Sequence, residues 1–333
     1  ELYKHRIAEG KNDIIKAINE SKTEVKDIPI ENSQGEVCSN VPVHVIKNLS
    51  HSLINSEMYG VFSYAPLYTK CVDEGISKGK VLLKKLQIRN ETIIQESQRL
   101  KKGKLDPRRV FAAGYMDDIF KKINKSSYKP LSLHLSIDGS GSMEGLKWDQ
   151  TLINVVALGY VSLNMGNIDL TISIRTTGND PNSGWRNQIP LLILAFDSRK
   201  NKLKDLYKLA HCKVVGYTPE GICLNALNEF IPASSYYLDS YLINMSDGMP
   251  TFSNGDIKYS NEGAIYDTEQ AVSRIKKKGV NIMSYFIGNN MNIEIMNNFR
   301  KMYGKDAEFV DMDNINQITR TLNKLFLTQN LIS

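Results

Sequence analysis

Asp138-Gly139-Ser140-Gly141-Ser142 alternates one carboxylate and two hydroxyls with glycine. Every donor is an oxygen, the ligand type of hard cations such as Mg²⁺. Glycine between the donors lets the backbone turn tightly, so the three oxygens are expected to converge. A Mg²⁺ ion takes about six oxygens at about 2.1 Å and commonly keeps water. Three residues are therefore too few, and further oxygens must come from elsewhere in the chain, from water or from a partner.

Two later segments offer them. Thr218 lies in VVGYTPEG, a loop that opens a helix, and Asp247 follows the apolar run LINMS in LINMSDGMP. Asp138 follows LSLHLSI, also a strand pattern. In a parallel sheet all three loops leave the carboxyl edge, where open α/β sheets bind ligands.

The elements that must position these residues alternate between strand and helix. Strands are expected at 131–137, 168–177, 189–197, 241–246, 280–287 and 307–310. Helices are expected at 145–164, 202–209, 219–230, 264–278, 292–302 and 314–327. This order predicts an α/β fold with a mostly parallel central sheet and helices on both faces over residues 129–333. Residues 1–128 read as a mainly helical region, with a strand signal only near Val41–Ile46. Helices are expected at 45–58 and 80–101. Asp106-Pro107 predicts a helix start, and Val110, Phe111, Tyr115, Ile119 and Phe120 then give an amphipathic stripe to about Ile123.

Asp-x-Ser-x-Ser, then a threonine, then an aspartate after a strand, resembles the metal-ion-dependent adhesion site (MIDAS) of von Willebrand factor A (VWA) domains. The resemblance covers residues 129–333 and implies a Rossmann-like VWA fold. It makes Asp138, Ser140, Ser142, Thr218 and Asp247 the candidate ligands of Mg²⁺, or of Mn²⁺ or Ca²⁺. It also implies docking of a partner's acidic residue on the metal, without catalysis. IDGSGSMEG, GYTPEGICLNAL, INMSDGMPTF and VNIMSYFIGNN are similar to VWA proteins that work with MoxR-type AAA+ ATPases, and GKLDPRR resembles the linker preceding the VWA domain of cobaltochelatase. The partner so implied is a hexameric AAA+ ATPase. The alternatives are the VWA subunit of a cobalt or magnesium chelatase complex, and a structural or virion-associated binding protein.

Other chemistries fit less well. A dinucleotide loop counted from Gly139 would need glycine at position 144, where Glu144 stands. An Asp-based phosphatase would need a second aspartate where Ser140 stands. A hydrolase serine would need a base; His134 lies inside a strand and His211 reads as structural. Asp180 and Asp197 read as loop residues, Trp148 and Trp185 as packing anchors.

The 42 basic and 36 acidic residues give a net charge of +6, a mild excess. The Lys/Arg-rich stretch from Lys78 to Arg109 lacks interleaved aromatics, so nucleic-acid binding is not expected. No run of about 18 apolar residues is present, so no membrane span is expected. Cys38, Cys71, Cys212 and Cys223 make neither a zinc-finger spacing nor a disulfide framework, which fits a reducing cytoplasm, or a virion for a phage-encoded chain. The chain opens on Glu1, so no leader is read from this end.

Overall fold

The computed structural model describes residues 14–32, 34–56, 58–87, 93–181, 184–255, 257–288, 292–310 and 331–332. Residues 14–21 are helical. Strand β1 (Glu24–Glu31) then pairs antiparallel with β2 (Val37–Ile46). Helices α1 (His51–Ser56) and α2 (Thr69–Gln87) come next. Three further strands, β3 (Ile93–Leu100), β4 (Lys104–Leu105) and β5 (Phe120–Tyr128), build a separate small sheet.

The mainly helical character expected of residues 1–128 therefore holds only in part. The helix expected at 45–58 is confined to α1, because Val41, Val43 and Val45 alternate inward along β2 and are buried. The helix expected at 80–101 ends at Gln87, and β3 pairs with β5. The amphipathic helix expected from Asp106 to Ile123 is absent. Asp106 does cap, accepting the Arg108 amide at 3.1 Å, but the cap leads only into a 3₁₀ turn at Val110–Ala112. Phe111 and Tyr115 are 84% and 93% exposed. With no apolar surface beneath that stripe, burial does not sustain a helix there.

From residue 131 the chain builds the central sheet. Its elements are β6 (Leu131–Asp138), α3 (Leu146–Asn164), β7 (Ile168–Asp180), β8 (Gly184–Asp197), α4 (Glu220–Leu227), β9 (Asp239–Ser246), the hairpin β10 (Phe252–Asn254) and β11 (Ile257–Tyr259), α5 (Asn261–Lys276), β12 (Asn281–Ile287), α6 (Ile293–Tyr303) and β13 (Ala307–Val310). A short β14 (Leu331–Ile332) pairs with β5. The helix expected at 314–327 lies outside the described residues. Lys202–Leu209 is a 3₁₀ segment, Leu203–His211.

The sheet order is β1-β2-β8-β7-β6-β9-β12-β13. Strands β7, β6, β9, β12 and β13 are mutually parallel; β8 is antiparallel to β7, and β2 parallel to β8. Counted from β6, the order is third, second, first, fourth, fifth, sixth. That is a doubly wound sheet with its switch point between β6 and β9. The mostly parallel sheet with helices on both faces is the α/β class expected, and β1 and β2 extend it from the N-terminal side.

The two faces of the central strands differ. Leu131, Leu133, Leu135 and Ile137 of β6 point to one face and join α2, α3 and the 3₁₀ segment in one core. Helices α4, α5 and α6 cover the other face. There the central strands carry buried polar residues: Ser136 and Asp138 on β6, Ser173 and Arg175 on β7, Asn244 and Ser246 on β9, and Ser284 on β12. This polar seam leads to the carboxyl ends of β6 and β9.

Candidate metal centre

Asp138 is the last residue of β6 and is fully buried. Its Oδ1 accepts the Ser140 amide at 2.9 Å, and its Oδ2 accepts the Ser246 hydroxyl at 3.0 Å. Ser140 Oγ lies 3.0 Å from Ser142 Oγ, and Ser142 Oγ donates to Asp247 Oδ1 at 2.6 Å. Asp247 directly follows β9, so its carboxylate faces the loop after β6 across the switch point.

The glycines of this loop act differently from the sequence expectation. Neither Gly139 nor Gly141 takes a left-handed backbone. Gly139 is required by crowding: a Cβ there would lie 2.8 Å from Ile174 Cγ2. The tight turns fall at Gly145, the residue before α3, with φ 86°, and at Gly216, with φ 83°.

The Thr218 loop is laced between the other two. The Val215 amide donates to Gly139 O at 2.9 Å, and the Gly141 amide to Gly216 O at 3.2 Å. On its far side the Thr251 amide donates to Thr218 O at 2.9 Å. Thr218 is buried. A Cβ built on Gly248 would stand 3.7 Å from Ser142 Oγ and 3.8 Å from Thr218 Oγ1, so both hydroxyls border one small space. All five residues singled out in the sequence thus meet at one point.

Several side chains at or under this point carried no sequence signal of their role. Lys147, on the first turn of α3, pairs with Asp247 Oδ2 and donates to Ser142 O at 3.2 Å. Arg175 and Glu220 form an ion pair at 3.2 Å with neither side chain exposed. Arg175 also donates to Asn244 Oδ1 at 2.5 Å and to Ser136 Oγ. Glu220 Oε1 accepts from Asn244 at 2.8 Å and from Tyr303 OH at 2.7 Å. A charge or amide inside an apolar strand, as at Arg175 and Asn244, was the one visible hint.

Burial pushes the Asp138 carboxyl up to about 6; Arg175 opposes that shift, while Glu220 and Asp247 add to it. An ionised Asp138 thus calls for a nearby positive charge, and a bound cation would supply one. Among the described residues no three His, Cys, Asp or Glu side chains cluster as a nitrogen- or sulfur-rich metal site would need. The donors here are instead two carboxylates and three hydroxyls around a space that a Cβ would enter. This donor set fits a hard divalent cation.

The histidines do not serve this site. His134 Nε2 lies 2.8 Å from Ser173 Oγ, and burial holds its pKa down to about 3. His211 Nδ1 is 2.8 Å from Ser63 O. Asp197 is paired with Arg199 and Lys200 in its loop. Trp148 is buried as expected.

No protein-family model matches the chain, and no curated protein matches it. Similar solved structures include the pilus adhesin SpaC from Lactobacillus rhamnosus GG, at 16% identity and a TM-score of 0.44, over 62% of this chain and 32% of that one. The chain thus spans about a third of that adhesin's length. The vWF domain of a type V pili tip protein from Porphyromonas gingivalis aligns at 13% identity and a TM-score of 0.41, over 62% of this chain and 99% of that one. Proximal thread matrix protein 1 from the mussel byssus, with a zinc-occupied MIDAS motif, aligns at 13% identity and a TM-score of 0.39, over 60% and 46%. Among the described residues no helix is long and apolar enough to cross a membrane.

Proposed function

We propose that this chain is a non-enzymatic, metal-dependent protein-binding adaptor of the VWA type. One observation carries the reading: three loops at the switch point bring Asp138, Ser140, Ser142, Thr218 and Asp247 together, with no histidine beside the serines. These residues would hold Mg²⁺, or Mn²⁺ or Ca²⁺ through the same oxygens. The cation would supply a Lewis-acid position for a carboxylate of another protein. Five side chains leave room in a shell of about six.

On the resemblance of its motifs, the partner we propose is a hexameric MoxR-type AAA+ ATPase, which the adaptor couples to a substrate protein. The VWA subunit of a metal chelatase complex is the alternative that GKLDPRR supports. The unpaired state of all four cysteines supports a reducing, cytoplasmic setting.

The test is a pull-down from the native source with the wild-type chain and Asp138→Ala, each in Mg²⁺ and in EDTA. Capture is expected only for the wild type in Mg²⁺. Equal capture in all four arms would sink the docking reading.

A further inference from the structure

Lys147 stands where helix electrostatics argue against it. It is the second residue of α3, and the amino end of a helix favours acidic side chains. Its position is explained by what its ammonium reaches. Gly145, with φ 86°, turns the chain so that the first turn of α3 lies over the Asp138–Ser142 loop. From there Lys147 Nζ pairs with Asp247 Oδ2 and donates to Ser142 O. The Asp247 side chain has no exposure, whereas that of Lys147 is 26% exposed. One end of the lysine is thus in the site and its stem is at the rim.

Both oxygens of Asp247 are engaged, Oδ1 by the Ser142 hydroxyl and Oδ2 by the ammonium. The hydroxyl can rotate to present a lone pair to a cation. The ammonium has only donors and a positive charge, so it cannot share the carboxylate comfortably with a divalent ion. Lysine and cation are alternative counter-charges for one buried carboxylate.

We propose that Lys147 is a tethered counter-ion that competes with the divalent cation for Asp247 and is released to the rim of the site when the cation binds. The inference rests on the metal reading above. It adds that Lys147 sets the threshold for loading. It also places a mobile ammonium beside the open coordination position, where an incoming carboxylate carries complementary charge. Metal binding and partner binding would then support each other, because each removes a reason for the lysine to return to Asp247.

The experiment uses the full chain and the metal alone. Mg²⁺ and Mn²⁺ are titrated calorimetrically into wild type, Lys147→Met and Lys147→Arg, and melting is followed in EDTA and in saturating Mg²⁺. Lys147→Met is expected to bind metal roughly tenfold more tightly, a usual size for coupling between two ligands. Lys147→Arg should stay near wild type. In EDTA, Lys147→Met should melt below wild type, and saturating Mg²⁺ should abolish or reverse that order. A second measurement needs no variant: amine acetylation of Lys147 in the wild type, read by mass spectrometry, should be faster in Mg²⁺ than in EDTA. Equal or weaker metal binding by a folded Lys147→Met, or equal acetylation rates, would overturn the proposal and leave the metal site standing. Absence of metal binding by both wild type and Lys147→Met would overturn the metal reading and this inference together.

Discussion

Asp138 and Arg175 stand opposite one another in register on adjacent parallel strands, both fully buried, yet their side chains do not pair. The guanidinium turns along the sheet to Ser136, Asn244 and Glu220. Asp138 turns toward the loop, to the Ser140 amide and the Ser246 hydroxyl. The arginine thus favours ionisation of Asp138 through space without occupying its oxygens. Glu220, only two residues after Thr218, supplies the competing carboxylate that holds Arg175 away.

This arrangement makes Glu220→Gln informative. Losing one partner of a buried ion pair costs about 3–5 kcal/mol, so the urea midpoint should fall. Arg175 would then have Asp138 as its nearest unpaired carboxylate, and the Mg²⁺-induced rise in melting temperature should shrink. A lower midpoint with an undiminished Mg²⁺ response would show that Glu220 serves stability alone.

The ligand set itself is tested by stability. A cation that binds the folded chain at about a hundred times its Kd stabilises it by roughly 2.7 kcal/mol. Melting should therefore rise by several degrees in Mg²⁺ for the wild type. Asp138→Ala and Asp247→Ala should each abolish the rise. An unchanged wild-type melting point would argue for a site that takes no metal.

The division between what the sequence disclosed and what it hid comes from separation along the chain. Asp138, Ser140 and Ser142 lie within five residues and right after a strand pattern, so their convergence was readable. Thr218 and Asp247 were readable because strand patterns frame their loops. Lys147 and Ser246 were not, because each meets its partner across 100 or more positions and nothing local marks the pairing. Strand β1 carries an alternating pattern in EVKDIPIE, yet only its pairing with β2 gives it a place. The helix expected from Asp106 failed for the opposite reason. Its cap is real, but a cap starts a turn and only burial extends it.

His134 provides a pH test with a definite sign. Its ordinary pKa is 6.5, and burial lowers it to about 3 in the folded chain. Between those values the unfolded chain takes a proton that the folded chain refuses. The contribution of His134 to stability is therefore lost as pH falls through this window, at roughly 1.4 kcal/mol per pH unit. Subtracting the stability of His134→Val from that of the wild type removes the contributions of other groups. The difference should be level above about pH 7 and fall steadily toward pH 4. A level difference down to pH 4 would mean that His134 is protonated inside the sheet.

Gly216 and Gly141 separate two meanings of glycine at this site. The backbone at Gly216 has φ 83°, and a Cβ there would stand 2.3 Å from Thr177 Oγ1 and 2.7 Å from Thr177 O. That Thr177 hydroxyl accepts the Tyr217 amide at 2.9 Å, so the clash falls on the contact that seats the Thr218 loop. Gly216→Ala should displace Thr218 from the cluster. Gly141 is free of both constraints: its backbone is not left-handed, and a Cβ would meet only Gly216 O, at 3.8 Å. Gly141→Ala should therefore fold and bind Mg²⁺ as the wild type does, although it changes the Asp-Gly-Ser-Gly-Ser string itself. Gly216→Ala should lose most of the Mg²⁺ response while altering no oxygen ligand. Metal titrations of the two variants read this directly. The reverse order would mean that the flexibility of the first loop governs the site, and the packing between loops does not.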